Sequence, residues 1–459
     1  MTGRNSQGLV AALAARAPAL GRRNYRIFIT AQSISLVGTW MQTLAQAWLI
    51  VVLTRDPFVL GMVTVAQALP VLIFSLIGGV IADRGNKRRI LATTPLVSGT
   101  LAAILAVLCL TGTVQVWHIA VLAFLLGTVN AIEIPVRQAF VVEMVGPEML
   151  PSAVGLNSAT YNGGRLVGPA VAGILIGFTT VLMGDAVAGT GVAFLLNALS
   201  FGAVVVAYLS MRESELQPVR RRAAQPGPAA VVHQIVEGLN HVRNDRPVLM
   251  TLLIPGLVAL IAINFGVLIP VVVLEYGLQS DELGLLMAAN GVGALVAALR
   301  VGMGARAGPG ALVRGGLILG GSLVLAGLVT AVRGPLVITA VLLFAGGAGA
   351  TTMRTISNTS IQLATPPEVR GRVMSLFALT FEGISPMGAA IAGALAAQLG
   401  GPAAFIVCGA LAVLLVVAGA PELRRIRLDR AAGGAGGAGG AGVPGDGTGA
   451  AGGTPHGRA

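Results

Sequence analysis

Five ionisable side chains stand inside long apolar stretches of the sequence, and they are the residues best placed to do chemistry: Glu133, Arg137, Arg165, Arg354 and Glu382. A charge at the centre of an apolar helix costs about 2.5–3.5 kcal/mol on insertion scales, so it normally faces a partner or a water-filled cavity. Glu133 and Arg137 are one helical turn apart on the same face. Burial favours the neutral form of a carboxyl group and an arginine favours the charged form, so such a pair can exchange a proton near neutral pH.

We therefore predict a proton-carrying group at Glu133, a second one at Glu382, and accompanying roles for the three arginines. The alternative is a structural ion pair between Glu133 and Arg137 or Arg165. A second set consists of polar or aromatic side chains at mid-stretch positions, which could line a central cavity: Gln42, Gln46, Gln67, Asn130, Tyr161, Asn162 and Asn358. Each of these could instead form a helix–helix hydrogen bond.

The composition defines the surroundings of these residues. Of 459 residues, 55% are hydrophobic and only 10% are charged, and the mean hydropathy is +0.85. Soluble proteins carry about 25% charged residues, so a large cytosolic enzyme is excluded. A disordered protein would be polar and highly charged, so that class is excluded as well.

Apolar runs long enough to cross a bilayer as helices recur along the chain. The sequence predicts an all-α membrane protein with twelve spans, at roughly 27–53, 58–82, 90–112, 117–144, 152–180, 187–209, 248–275, 283–304, 312–332, 335–362, 372–398 and 402–420.

The basic residues predict the orientation. The formal net charge is +12, and 29 of the 30 basic residues are arginine. With both termini in the cytoplasm, the outside loops hold only Arg55 and Arg333, as the positive-inside rule requires. The arginine clusters have almost no interleaved aromatic residues, so we do not predict nucleic-acid binding.

An internal repeat divides the spans into two halves. A shift of 220 residues places Pro147-Glu148 on Pro367-Glu368 and Gly168 on Gly388, so spans 4–5 overlie spans 10–11. The predicted organisation is a cytoplasmic N-terminal segment at 1–23, a six-helix bundle at 24–209, a cytoplasmic linker at 210–246, a second six-helix bundle at 247–422 and a disordered cytoplasmic tail at 423–459.

The loop after the second span reads Gly79-Val80-Ile81-Ala82-Asp83-Arg84-Gly85-Asn86-Lys87-Arg88-Arg89. It resembles the loop signature of the major facilitator superfamily, with Asn86 where that family usually has glycine. The resemblance implies a gating loop in which Asp83 pairs with an arginine or with a helix terminus. The gating residues it implies are Gly79, Asp83, Arg84, Lys87, Arg88 and Arg89. The alternative is a basic cluster that only anchors a cytoplasmic loop.

The fifth span carries small residues at fixed spacing: Gly155, Gly164, Gly168, Pro169 and Gly173. This pattern resembles the antiporter motif of drug–proton exporters of the same superfamily, with Ala172 in place of a glycine. Small residues on one face allow close helix packing, and generic packing is the alternative explanation. Spans 1 and 4 resemble the drug and siderophore exporter subgroup that includes the enterobactin exporter. The resemblance covers roughly residues 24–420.

Together these resemblances imply a secondary transporter of the cytoplasmic (inner) membrane. The expected activity is proton-coupled export of a small amphipathic drug or a secreted metabolite such as a siderophore, by alternating access. We expect a monomer whose partners are the small-molecule substrate, protons and the lipid bilayer. We expect no enzyme activity, cofactor or metal, since the sequence has neither a phosphate-binding loop nor a ligand-spaced cluster. The alternatives are a lysophospholipid or lipid flippase on the same fold, and a membrane sensor or scaffold that transports nothing.

Overall fold

The computed structural model describes residues 17–217, 239–302 and 309–436. Within these ranges some side chains fall outside the description, namely those of Leu76, Val80, Ala82, Asp83, Arg84, Pro309, Pro367, Glu368, Glu382 and residues 423–436. The described residues form helices and turns without a strand, and twelve helices are long and apolar enough to span a membrane. The predicted fold class and the number of spans are therefore confirmed.

The first half contains helices α1 to α6 and the second half contains α7 to α12. The helices of the first half are α1 (Arg23–Thr54), α2 (Pro57–Arg84), α3 (Lys87–Leu110), α4 (Val116–Val145), α5 (Leu150–Met183) and α6 (Ala186–Leu209). Those of the second half are α7 (Arg246–Ala262 and Phe265–Glu275), α8 (Ser280–Gly302), α9 (Pro309–Ala331), α10 (Leu336–Ala364), α11 (Pro367–Ala378 and Ser385–Leu399) and α12 (Gly401–Gly436).

The boundary between α5 and α6 shows how short polar signals end and start these apolar helices. Gly184 has a positive φ of 72°, which a residue without a Cβ adopts at little cost, and it ends α5. The Asp185 side chain then accepts hydrogen bonds from the backbone N–H groups of Val187 and Ala188 and caps α6. Two residues therefore separate the spans within a region rich in glycine and alanine.

The two halves pack directly on each other along two helix pairs, α5 with α8 and α2 with α11. At the second pair, a Cβ on Gly61 would come within 2.7 Å of the Ala389 carbonyl oxygen, and one on Gly393 within 2.6 Å of the Pro57 carbonyl oxygen. Only glycine permits this approach. Pro57 starts α2 at the end of the bundle remote from Arg23, so the halves are in tight contact at that remote end.

Two helices of the second half are interrupted. Helix α7 breaks at Ile263–Asn264, where the Asn264 side chain donates to the Leu260 carbonyl over 2.9 Å. Helix α11 contains a π-helical turn over Leu379–Gly383, which joins its two α-helical pieces. A π-turn inserts extra backbone into a helix and is frequent at functional sites.

The predicted linker and tail are only partly described. In the linker, Glu213–Glu215 forms a short 3-10 turn and residues 239–244 are helical, whereas 218–238 lie outside the described residues. Of the segment predicted as a disordered tail, residues 423–436 continue α12, and 437–459 lie outside the described residues. Residues 1–16 also lie outside them.

Candidate functional site

A polar cavity of about 250 Å³ lies within the first half and is lined by residues from all six of its helices. It contains seven of the residues singled out in the sequence: Gln42, Gln46, Gln67, Asn130, Glu133, Arg137 and Tyr161. Gln32, Ser35, Thr39, Thr43 and Asn197 add further polar groups that the sequence did not single out. The prediction of a polar cavity at mid-span therefore has a counterpart in the structure, inside one half.

Glu133 and Arg137 form an ion pair at the wall of this cavity. The Glu133 Oε1 and Arg137 Nη1 atoms are 3.5 Å apart, and the two side chains are 13% and 28% exposed. The pair joins consecutive turns of α4, as the spacing predicts. Because both side chains line the cavity, the carboxylate can be reached by water while its charge is balanced by the arginine.

Amide side chains connect α1 to its neighbours around the same cavity. Asn197 Nδ2 on α6 donates to Gln42 Oε1 over 2.5 Å, and Gln46 Nε2 donates to Gln67 Oε1 on α2 over 3.2 Å. A Cβ on Gly38 would overlap the Asn197 amide oxygen, so glycine is required there for this bond. The network fixes the orientation of the cavity wall. Asn197 was not singled out in the sequence, although it is an asparagine within an apolar span like Asn130, and its bond to Gln42 joins residues that are remote in sequence.

Arg165 lies outside this cavity and joins the two halves. Its Nη2 donates to Asn290 Oδ1 on α8 over 3.2 Å, and its guanidinium lies 5.9 Å from the ring centroid of Trp40. Asn290 is buried and in turn donates to the Leu343 carbonyl on α10 over 3.2 Å. Arg165 thus contacts the second half through Asn290, another residue that sequence reasoning missed.

Arg354, Asn162 and Asn358 do not line the cavity that contains Glu133. Arg354 stacks over Phe381 in the second half, with 5.9 Å from the guanidinium carbon to the ring centroid. Glu382 lies in the π-helical turn of α11, and its side chain is outside the described residues. Asn162 donates to the Ser158 carbonyl, and Asn358 accepts from the Gln362 side chain. Both asparagines therefore bond within their own helices.

The small residues of α5 pack on two different helices. Gly164 and Gly168 face α1, where added Cβ atoms would lie 3.1 Å from Leu36 and 2.5 Å from Trp40. Gly173 faces α8 in the other half, and its added Cβ would lie 2.6 Å from the Ser280 carbonyl oxygen. The same face includes buried Pro169, whose carbonyl oxygen approaches Gly284 of α8. Gly155 differs, because nothing lies within 4 Å of its added Cβ.

The basic residues after α2 are bound to their own half. Lys87 Nζ contacts Glu143 Oε1, near the C-terminal end of α4, at 2.8 Å. Arg88 donates to the Tyr208 and Leu209 carbonyls and to Glu213. The Asn86 side chain accepts from the backbone N–H of Arg89, so the residue that departs from the family pattern caps α3. Gly79 has open space around it.

We expect the substitution Lys87→Gln to lower the stability of the folded protein by about 1–2 kcal/mol, because it leaves the partly buried Glu143 carboxylate without its cation. Thermal unfolding in detergent measures the effect. The double variant Lys87→Gln, Glu143→Gln should recover most of the loss, since no charge is then left unpaired. A double variant as unstable as the sum of the single variants would contradict the ion-pair explanation.

The sequence signature of the transmembrane secretion effector family matches residues 14–432. The chain belongs to that family, a branch of the major facilitator superfamily. One relative is the Staphyloferrin A transporter of Staphylococcus aureus, 25% identical over 60% of this chain and 66% of that protein. Another is the Multidrug efflux pump Tap of Mycolicibacterium fortuitum, 28% identical over 85% of this chain and 94% of that protein.

A solved structure supports the fold assignment. A POT family transporter in complex with 5-aminolevulinic acid superposes with a TM-score of 0.67 at 14% identity, covering 88% of this chain and 97% of that one. This similarity shows the fold alone. With its twelve spans among the described residues, this member of the transmembrane secretion effector family is a multi-pass transporter of the cell membrane and not an enzyme.

Proposed function

We propose that this family member exports a small amphipathic drug or secreted metabolite, such as a siderophore, in exchange for protons. The observation that carries the proposal is the placement of the Glu133–Arg137 pair on the wall of a polar cavity inside the apolar bundle. The names of the relatives, which include a multidrug efflux pump and the Staphyloferrin A transporter, support export of small molecules.

The size of the cavity favours a proton site over a drug site. Ligand pockets for drug-sized molecules measure about 300–1,000 Å³ and are mainly apolar. The cavity in the first half measures about 250 Å³ and is rich in amide, hydroxyl and charged groups. It suits water and a titrating carboxyl group, and we place the substrate between the halves, as in other transporters built from two repeats.

The proposed cycle links the proton to the movement of the halves. Protonation of Glu133 removes one partner of the ion pair, which changes the charge at the wall shared by all six helices of the first half. With both termini in the cytoplasm, the contacts between α5 and α8 and between α2 and α11 close the outer side. The loop with Asp83 would then gate the inner side. Arg165, Arg354 and Glu382 remain secondary candidates for coupling.

An efflux assay tests the proposal. The protein is expressed in a host that lacks its own pumps, and the accumulation of a panel of amphipathic drugs and siderophores is measured with and without a proton uncoupler. We expect lower accumulation of at least one compound, and loss of that effect when the uncoupler is added. Export that persists without a proton gradient would point to a flippase or another driving force. No gradient-dependent flux for any compound would favour a sensor or scaffold.

A further inference from the structure

Four buried hydroxyl groups in the first half have no hydrogen-bond partner among the described residues. One of them, on Thr180, lies near the C-terminal end of α5, and the other three lie on α3 and α6. These three belong to Tyr208 and Ser98, each 1% exposed, and to Thr94, which is 8% exposed. An unsatisfied buried hydroxyl is rare in native proteins, and an internal water molecule normally serves as its partner. A cluster of such groups near the Glu133 carboxyl group therefore has the chemistry needed to pass protons through bound water.

Tyr208 is close to the Glu133–Arg137 pair. Its ring packs between Phe28 and Phe140, with ring centroids 6.1 Å away in both cases, and Phe140 lies about one turn after Arg137 on α4. Val204, one turn earlier on α6, lines the cavity that contains Glu133. Arg88, at the start of α3, donates to the Tyr208 carbonyl. Tyr208 thus lies between the cavity and the end of the first half that contains Arg88.

The Ser98 and Thr94 hydroxyls lie on the buried face of α3, on either side of Pro95. Pro95 lines the cavity, and it has no N–H to offer the Leu91 carbonyl one turn earlier. Leu91 in turn packs in the same apolar cluster as Tyr208. One face of α3 therefore carries the Ser98 hydroxyl, the Thr94 hydroxyl and the Leu91 carbonyl. These polar groups lead from the level of the cavity towards Tyr208.

We propose that Tyr208, Ser98 and Thr94 hold a file of water molecules that carries protons between Glu133 and the end of the first half where the N-terminus lies. This relay rests on the proposed proton coupling. The proton leaves the Glu133 carboxyl group for a water molecule. Each hydroxyl then accepts one proton as it releases another, so Tyr208 is neutral before and after, and the proton passes to solvent at the far end.

The surroundings of the relay favour neutral carriers. Arg137 on α4 and Arg88 on α3 are the cations beside Tyr208, and the Lys87–Glu143 pair lies at the same end of the bundle. The proton route lies within the first half, whereas the proposed substrate path runs between the halves. The two routes are therefore separate in space.

The substitution Tyr208→Phe tests the relay because it removes only the oxygen atom. The Tyr208 hydroxyl bonds to no protein group among the described residues, so its removal should change the melting temperature little. Protonation of Glu133 should slow by about 100-fold, at the lower end of what positioned proton-transfer groups contribute. The readout is the carboxyl band that appears in time-resolved infrared spectra after a pH jump on reconstituted protein, assigned by its loss in Glu133→Gln.

Tyr25→Phe is the matched control. Tyr25 lies in the same apolar cluster, but its hydroxyl donates to the Ala153 carbonyl over 2.9 Å. Its loss should lower the melting temperature and leave the protonation rate unchanged. A second relay variant, Ser98→Ala, should slow protonation like Tyr208→Phe. Wild-type rates in both relay variants would overturn the relay alone. Absence of any Glu133 band in the wild-type protein between pH 5 and 9 would instead overturn the proposed proton coupling.

Discussion

Replacing Glu133 with glutamine is expected to abolish proton-driven export while the amount of folded protein in the membrane stays unchanged. Glutamine has the same shape and can keep the contact with Arg137, whose Nη1 lies 3.5 Å from Oε1 of Glu133, but it cannot take up a proton. Proton-transfer groups typically contribute about 10²–10⁴-fold to a rate, so we expect a loss of at least about 100-fold. Uptake of the exported compound into inside-out vesicles, driven by an imposed pH gradient, measures the effect.

Glu143→Gln is the control for this experiment. Glu143 is also a carboxylate on α4, but it is paired with Lys87 near the end of the helix and does not line the cavity. This variant should retain proton-driven transport, with at most a modest loss of stability. Complete proton–substrate exchange by Glu133→Gln would show that the ion pair is structural.

Replacing Gly173 with leucine is expected to reduce transport by roughly tenfold to a hundredfold. The added Cβ would lie 2.6 Å from the Ser280 carbonyl oxygen and 2.8 Å from the Gly284 Cα atom, and neither backbone atom can move away cheaply. Overpacking of this kind costs about 1–3 kcal/mol. This free-energy cost destabilises only the conformation in which α5 and α8 are in contact. The equilibrium therefore shifts towards the conformation in which these helices are apart.

Gly155→Leu provides the comparison within the same motif. Both substitutions replace a helical glycine and gain similar helix propensity, but no atom lies within 4 Å of a Cβ at Gly155. Transport by Gly155→Leu should therefore equal that of the wild type. A cysteine pair at Gly177 and Ser280, in a protein without Cys109 and Cys408, reports the contact between the halves. Equal cross-linking and equal transport in both leucine variants would contradict the role assigned to this contact.

The observed helices agree closely with those predicted from the sequence, because an apolar segment in a membrane can adopt few structures other than a helix. Backbone groups in lipid must bond within the span, so length and hydropathy alone identify a helix. Residues 423–436 were predicted as part of the disordered tail, but they are helical and continue α12. Unlike the membrane spans, this stretch is not apolar. It is charged, so hydropathy does not predict a continuation of α12, although Leu, Arg and Ala at 423–432 are good helix formers.

The candidate site was only partly predictable, and the reason is geometric. Glu133 and Arg137 are related by local spacing, so the sequence predicts their contact directly. The bond between Arg165 and Asn290 joins residues 125 positions apart on different halves, and no local pattern specifies it. The amide pair formed by Asn197 and Gln42 is equally remote in sequence. Single polar residues in apolar spans indicate that a partner exists but not which one.

The π-helical turn of α11 makes the second half differ from the first. The internal repeat aligns α11 with α5, but only α11 is interrupted. Helix α5 is continuous over 34 residues. Helix α11 is divided by the turn at Leu379–Gly383, and α7 beside it is divided at Ile263–Asn264. We therefore expect movement of the two halves to bend the second half at these two breaks.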